Sequence, residues 1–139
     1  MAESIETVMT RDPVCRDADA SLADAAKAMD ERNIGDVLVL EGGSLCGIVT
    51  DRDIAIRAVA RGADPTTTRL GDICSRDLVT LSTSDAVDDA IARMREHAVR
   101  RMPVLDEGRP VGIVSLGDLA EERDRRSVLG EISAAPADH

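Results

Sequence analysis

The chain has 139 residues, with 17 Lys plus Arg against 27 Asp plus Glu, a formal charge of −10, and no Phe, Tyr or Trp. That length holds one compact domain or two very small ones, and a composition 43% hydrophobic and 32% charged is globular rather than disordered or fibrous. Acidity and missing rings exclude a nucleic-acid platform, which needs basic surface and aromatic stacking, and no run approaches the roughly 18 apolar residues of a membrane span.

In chain order, a short extended segment around Val14 leads into a helix whose start carries Ser21 and Asp24 at capping-box spacing, with Asp in place of Glu. Leu22, Ala25, Ala26 and Met29 then fall on one helical face, and Asn33 is suited to a left-handed C-cap. Two strand-like runs, 37–40 and 45–49, flank Gly42-Gly43 and predict a hairpin. A second helix is expected from about Asp51 to Arg61, stopped by Gly62. The same order returns: a helix from about Asp85, strands at 102–105 and 111–114, and a helix from about Leu116 to Arg126.

The return is a duplication. Shifted by 65 positions, Arg11-Asp12 falls on Arg76-Asp77, Met29 on Met94, and Gly47-Ile48-Val49 on Gly112-Ile113-Val114. Asp53 falls on Asp118. Roughly a third of the pairs in the matched region are identical, the signature of a tandem repeat. The expected organisation is repeat 1 over 5–62, a linker over 63–69, repeat 2 over 70–127 and a tail over 128–139. A unit of this size is marginal alone, so two copies are expected to pack sheet to sheet around a pseudo-twofold axis. The fold class is α+β.

A twofold β-α-β-β-α pattern with Gly-Ile-Val-Thr-Asp-Arg-Asp (47–53) and Gly-Ile-Val-Ser-Leu-Gly-Asp (112–118) closing the hairpins resembles the CBS domain, and the pair resembles a Bateman module. Val99-Arg100-Arg101-Met102-Pro103 is similar to the family's hairpin-opening strand. The whole is similar to small stand-alone bacterial CBS pairs of the hypoxic-response type. The resemblance implies a regulatory module that binds an adenosyl ligand, AMP, ADP or ATP first and S-adenosylmethionine or NAD after them, in clefts between the copies. It further implies that Asp118 and Asp53 hold ribose hydroxyls, with Ser115 and Thr50 assisting. A carboxylate suits that task because its two oxygens accept both protons of a vicinal diol. Arg100 and Arg101 offer planar donor forks to phosphate.

On these grounds one site is expected from Thr10, Val14, Ile34, Gly35, Arg100, Arg101, Ile113, Ser115 and Asp118. A second, weaker one is expected from Ile48, Thr50, Asp53, Val79 and Val99. With no ring available, aliphatic groups such as Val14, Ile34 and Ile113 would have to clamp adenine. The asymmetry follows from the repeat itself, which has Gly35 and Asp36 where the second copy has Arg100 and Arg101. Spacing alone also fits a plain reading, because Thr50 to Asp53 and Ser115 to Asp118 match a helix N-cap and its third residue. Both roles can coexist.

Other features have plainer readings. Cys46 and Cys74 align with Val111 and Met9, so packing is expected of them, while Cys15 stands where a redox role is conceivable. An odd cysteine set without Cys-x-x-Cys suggests neither a disulfide framework nor a zinc site. Arg123, Arg125 and Arg126 suit the end of a helix dipole. No nucleophile-base order, Walker loop or zinc motif is present, so no catalytic residue and no metal ligand is expected. The start lacks the basic and apolar stretches of a secretory signal, and a cytoplasmic homodimer acting on a separate, unidentified protein is expected. The alternative is a ligand-free dimerisation adaptor.

Overall fold

The computed structural model describes residues 4–122 and 124. The expected tail 128–139, the last helix beyond these residues, Arg123, Arg125 and Arg126 lie outside them. The elements in order are α1 (Ile5–Val8), β1 (Thr10–Arg11), β2 (Cys15–Asp17), α2 (Leu22–Arg32), β3 (Asp36–Glu41) and β4 (Ser44–Thr50). Then come α3 (Asp51–Asp53), α4 (Leu70–Ile73), β5 (Leu81–Ser82), α5 (Val87–His97), β6 (Arg101–Asp106) and β7 (Arg109–Ser115). A final helix, α6, occupies 116–122.

Contacts divide the chain into two compact units that do not follow chain order. The described residues of the first are 4–11, 79–104, 112–122 and 124; the second holds 12–78 and 105–111. The reason is that each repeat begins with a segment docked away from its own copy.

In the first unit, the four-stranded sheet runs β1-β7-β6-β5, and β1 lies antiparallel to β7 with Thr10 opposite Ile113. The amide of Ile5 donates to the Asp85 carbonyl at 2.8 Å, fixing α1 at the entrance of α5. Gly112 is required here, since a Cβ would stand 2.5 Å from Met9 Sδ and 2.9 Å from the Thr10 carbonyl oxygen. The core is aliphatic: Ile5, Leu81, Val87, Ala90, Met94, Met102, Val104, Val114 and Leu119 are all buried.

In the second unit, the sheet runs β2-β3-β4, with β2 parallel to β3 and β3 antiparallel to β4. The amide of Leu38 donates to the Val14 carbonyl at 2.8 Å, so pairing begins just before β2. Segment 70–75 docks here as α1 and β1 do in the other unit: Leu70 donates to the Ala20 carbonyl, and Ser75 exchanges two bonds with Ile48. Leu22, Ala25, Met29, Val37, Val39, Val49 and Leu70 form the core, each large aliphatic group worth on the order of 1.5–3 kcal/mol of burial.

Several sequence expectations shift. Ala26 is exposed and Ala28, two residues on, takes the buried place on α2. Ser21 accepts from the Asp24 amide at 3.1 Å, but Asp24 does not return the bond, because its carboxylate pairs with Arg16 at 3.2 Å. Asn33 adopts the left-handed conformation, φ 54°, as its C-cap role requires. The predicted helix over 51–61 is α-helical only through Asp53, then π-helical over Ile54–Ala58 and 3-10 over Val59–Arg61, ending at Gly62 with φ 73°. The hairpin glycines Gly42 and Gly43 both have positive φ, as does the Glu107-Gly108 pair that matches them.

Candidate functional site

Each unit places one repeat's Ser/Thr-x-x-Asp at the junction of a hairpin and a helix. In the first unit, β7 ends at Ser115, whose amide donates to Asp118 Oδ2 at 3.0 Å while its Oγ accepts from the Asp118 amide at 3.1 Å. This reciprocal pair is a capping box. The next amide, of Leu116, donates to the Arg100 carbonyl at 2.7 Å. That bond draws the entrance of β6 against the start of α6, so Arg100, Ser115 and Asp118 come together although 15 to 18 positions separate them in the chain.

The capping box engages only one carboxylate oxygen. Oδ1 of half-buried Asp118 makes no hydrogen bond or ion pair among the described residues. Arg100 is exposed, and Arg101 is half-buried and engaged within the fold. A cavity of about 290 Å³ opens beside Asp118, lined by Thr7, Val8, Asp118, Glu121 and Glu122. Three carboxylates make its rim a place for hydroxyl donors, not for phosphate.

The second unit repeats the frame. Thr50 and Asp53 exchange the same two bonds, at 2.9 and 3.1 Å, and the Asp51 amide donates to the Gly35 carbonyl at 3.0 Å. Its charges differ. Arg57 Nε stands 3.8 Å from Asp53 Oδ1, and Arg57 also donates to the Ile73 carbonyl at 2.9 Å and to Ser75 Oγ at 3.2 Å. The residue matching Arg57 in the other repeat is the buried Glu122.

The structure regroups the candidate residues. Thr10, Arg100, Arg101, Ile113, Ser115 and Asp118 share the first unit, joined there by Val79 and Val99. Val14, Ile34 and Gly35 fall in the second unit with Ile48, Thr50 and Asp53. The exchanged N-terminal segment stops at Arg11, so residues 12–62 stay with the first repeat's own hairpin. Two residues were not singled out by sequence reasoning. Ser75 occupies the position of Thr10 and carrying Thr10 across the repeat finds it. Arg57 has no such signal, because the π-helical turn that directs it is invisible in the residue pattern.

The three thiols are free. Burial pushes the Cys15 thiol up, with Arg16 opposing it, and its Sγ donates to the Pro13 carbonyl at 3.6 Å. Among the described residues, no cluster of three or more His, Cys, Asp or Glu side chains can hold a metal ion. Among those residues, too, no helix is long and apolar enough to cross a membrane.

Comparison with known proteins agrees with this frame. The chain is 38% identical over 117 residues to the CBS domain-containing protein YhcV of Bacillus subtilis, covering 84% of this chain and 83% of that one. It is 31% identical over 128 residues to Hypoxic response protein 1 of Mycobacterium tuberculosis, covering 91% and 90%. The solved CBS domain pair of protein MJ0100, in complex with 5-methylthioadenosine and S-adenosyl-L-methionine, superposes with a TM-score of 0.80 at 25% identity, covering 91% and 99%. The CBS domain family model matches residues 5–59 and again 70–125. With both repeats matched and the hairpin-to-helix junction present in each, the chain belongs to the CBS domain family as a CBS-domain pair.

Proposed function

We propose that this CBS pair is a non-enzymatic cytoplasmic regulatory module that binds an adenosyl ligand, AMP, ADP or ATP ahead of S-adenosylmethionine or NAD. The observation that carries the reading is the Asp118 carboxylate. Ser115 occupies one of its oxygens and holds it in place, while the other stays available to a ribose diol. The Leu116-to-Arg100 bond sets an exposed guanidinium on the same junction for phosphate. Val79, Val99 and Ile113 supply aliphatic surface for adenine in that unit, with Thr10 from the docked N-terminal segment beside Ile113. Val14, Ile34, Gly35, Ile48, Thr50 and Asp53 form the corresponding, weaker site, where Gly35 and Asp36 stand in place of Arg100 and Arg101.

Regulation requires that ligand favour one assembled form over another; tight binding by itself shifts nothing. The form proposed is a homodimer acting on a separate protein. Ile56 and Val59, 54% and 67% exposed on the stretch after α3, are surface that self-association would cover. That same pair favours a second reading, a ligand-free dimerisation adaptor.

Thermal unfolding separates the two. A ligand at about 100 times its Kd stabilises the folded state by ~2.7 kcal/mol, a Tm rise of roughly 6–10 °C at this size. The panel is AMP, ADP, ATP, NAD and S-adenosylmethionine, on the wild type, Asp118→Asn and Asp53→Asn. A rise with a nucleotide that Asp118→Asn abolishes and Asp53→Asn preserves is expected. No rise with any ligand, in a protein that remains dimeric by light scattering, selects the adaptor.

A further inference from the structure

Cys46 and Cys74 lie 28 positions apart in sequence, yet the fold brings their side chains together. The chain leaving α4 runs along β4, where the Ile48 amide donates to the Ser75 carbonyl at 3.0 Å and the Ser75 amide donates back at 2.9 Å. Gly47, the neighbour of Cys46, is the point of closest approach. A Cβ there would stand 2.7 Å from Cys74 Sγ and 3.1 Å from Cys74 Cβ, so the Cys74 side chain lies directly over it. Both cysteines are half-buried against the same aliphatic cluster, close enough for each thiol to act electrostatically on the other. The Arg76 guanidinium acts on both sulfurs.

The other unit supports the geometry independently. Met9 matches Cys74 and Val111 matches Cys46, and there Met9 Sδ lies over Gly112 in the same way. A side chain laid over a glycine therefore belongs to the docked segment in both units, and in the second unit that side chain is a thiol.

We propose that Cys46 and Cys74 form a reversible disulfide site that latches segment 70–75 onto β4. The oxidant is a low-molecular-weight disulfide, RSSR. One thiolate of the pair attacks a sulfur of RSSR, forming a mixed disulfide and expelling RS⁻. The second thiolate then attacks the protein-bound sulfur, closing the Cys46–Cys74 bond and expelling the other RS⁻. The pair gives up two protons and two electrons, and RSSR leaves as two RSH. Burial pushes the Cys74 thiol up, with Arg76 opposing.

The test is oxidation of the full chain with oxidised glutathione, followed by N-ethylmaleimide and mass spectrometry. The expected product is about 2 Da lighter before alkylation and takes one maleimide, at Cys15. Trypsin should release peptide 33–52 joined to peptide 70–76. Cys15→Ser keeps both partners and should oxidise alike, whereas Cys46→Ser or Cys74→Ser should stop at a glutathione mixed disulfide. Reversal by a phosphine reductant, with a Tm several degrees higher in the oxidised form, is also expected. Glutathione on all three cysteines without the joined peptide, a bridge to Cys15, or an oxidised form with unchanged Tm would each overturn the proposal.

Discussion

The two repeats build the same backbone from different side chains, and the clearest divergence is where each hairpin opens. In the first, the buried Leu38 donates its amide to the Val14 carbonyl and β2 runs for three residues parallel to β3. In the second, the matching residue is Pro103, which has no amide to give; 76–80 stays outside the ladder and β5 keeps only Leu81 and Ser82. A side chain holds the segment one residue further on instead. Arg93 donates to the Thr80 carbonyl at 3.2 Å and pairs with Asp85 at 2.9 Å, at positions where the first repeat packs Ala28 and Ala20. The charges around the capping boxes also trade places: Asp36 with Arg57 in one repeat, Arg101 with Glu122 in the other. What both repeats retain is backbone geometry, namely the capping box, the positive-φ hairpin pair and the glycine beneath the docked segment. What they do not share is charge, and a module can change its ligand preference without disturbing its fold.

The contrast can be broken at its strongest point by moving the second repeat's residue into the first. Leu38→Pro removes the amide bonded to Val14 and shrinks a fully buried side chain, and should cost about 3–5 kcal/mol in urea unfolding. A variant as stable as the wild type would mean that β2 pairing does not distinguish the repeats. The shared feature is tested next. Gly47→Ala and Gly112→Ala each push a methyl into a docked backbone at 2.9 Å, the Ser75 and Thr10 carbonyls respectively. Each should lose about 1–3 kcal/mol. Unequal losses would show that one segment docks more loosely than its counterpart.

The smallest effect concerns the helix ends. Asn33 and Ala98 occupy matched left-handed positions, both at φ 54°, a conformation that costs alanine more than asparagine or glycine. Ala98→Gly should therefore stabilise the chain by roughly 0.5–1 kcal/mol, and Asn33→Ala should destabilise it by a similar amount. Chemical denaturation of the two variants side by side resolves the signs. If Ala98→Gly is destabilising, the greater freedom it gives the unfolded chain outweighs the strain it relieves.

Much of this was legible because it rests on local chemistry. The repeat offset, the Gly42-Gly43 turn, the Asn33 cap and the Thr50-to-Asp53 and Ser115-to-Asp118 boxes involve residues within a few positions of one another, and periodicity and spacing report such relations directly. Ala26 against Ala28 on α2 was not separable, since two small residues carry almost no amphipathic signal. The Ala98 cap left no sign either, because nothing about alanine announces a positive φ.

Sequence alone thus determined the family, the duplicated architecture, the aliphatic core of a chain without aromatic rings, and the candidate carboxylates with their capping partners. Tertiary structure decided which residues share a unit. Docking of 5–11 beside β7 and of 70–75 beside β4 depends on hydrogen bonds and glycine contacts between segments far apart in the chain, and no local pattern encodes such a register. The same long-range docking set Val79 and Val99 in the unit of Asp118, aimed Arg57 at Ser75, and laid Cys74 against Cys46. Those choices are settled by which surfaces fit once the elements exist, so they appear only when the chain has folded.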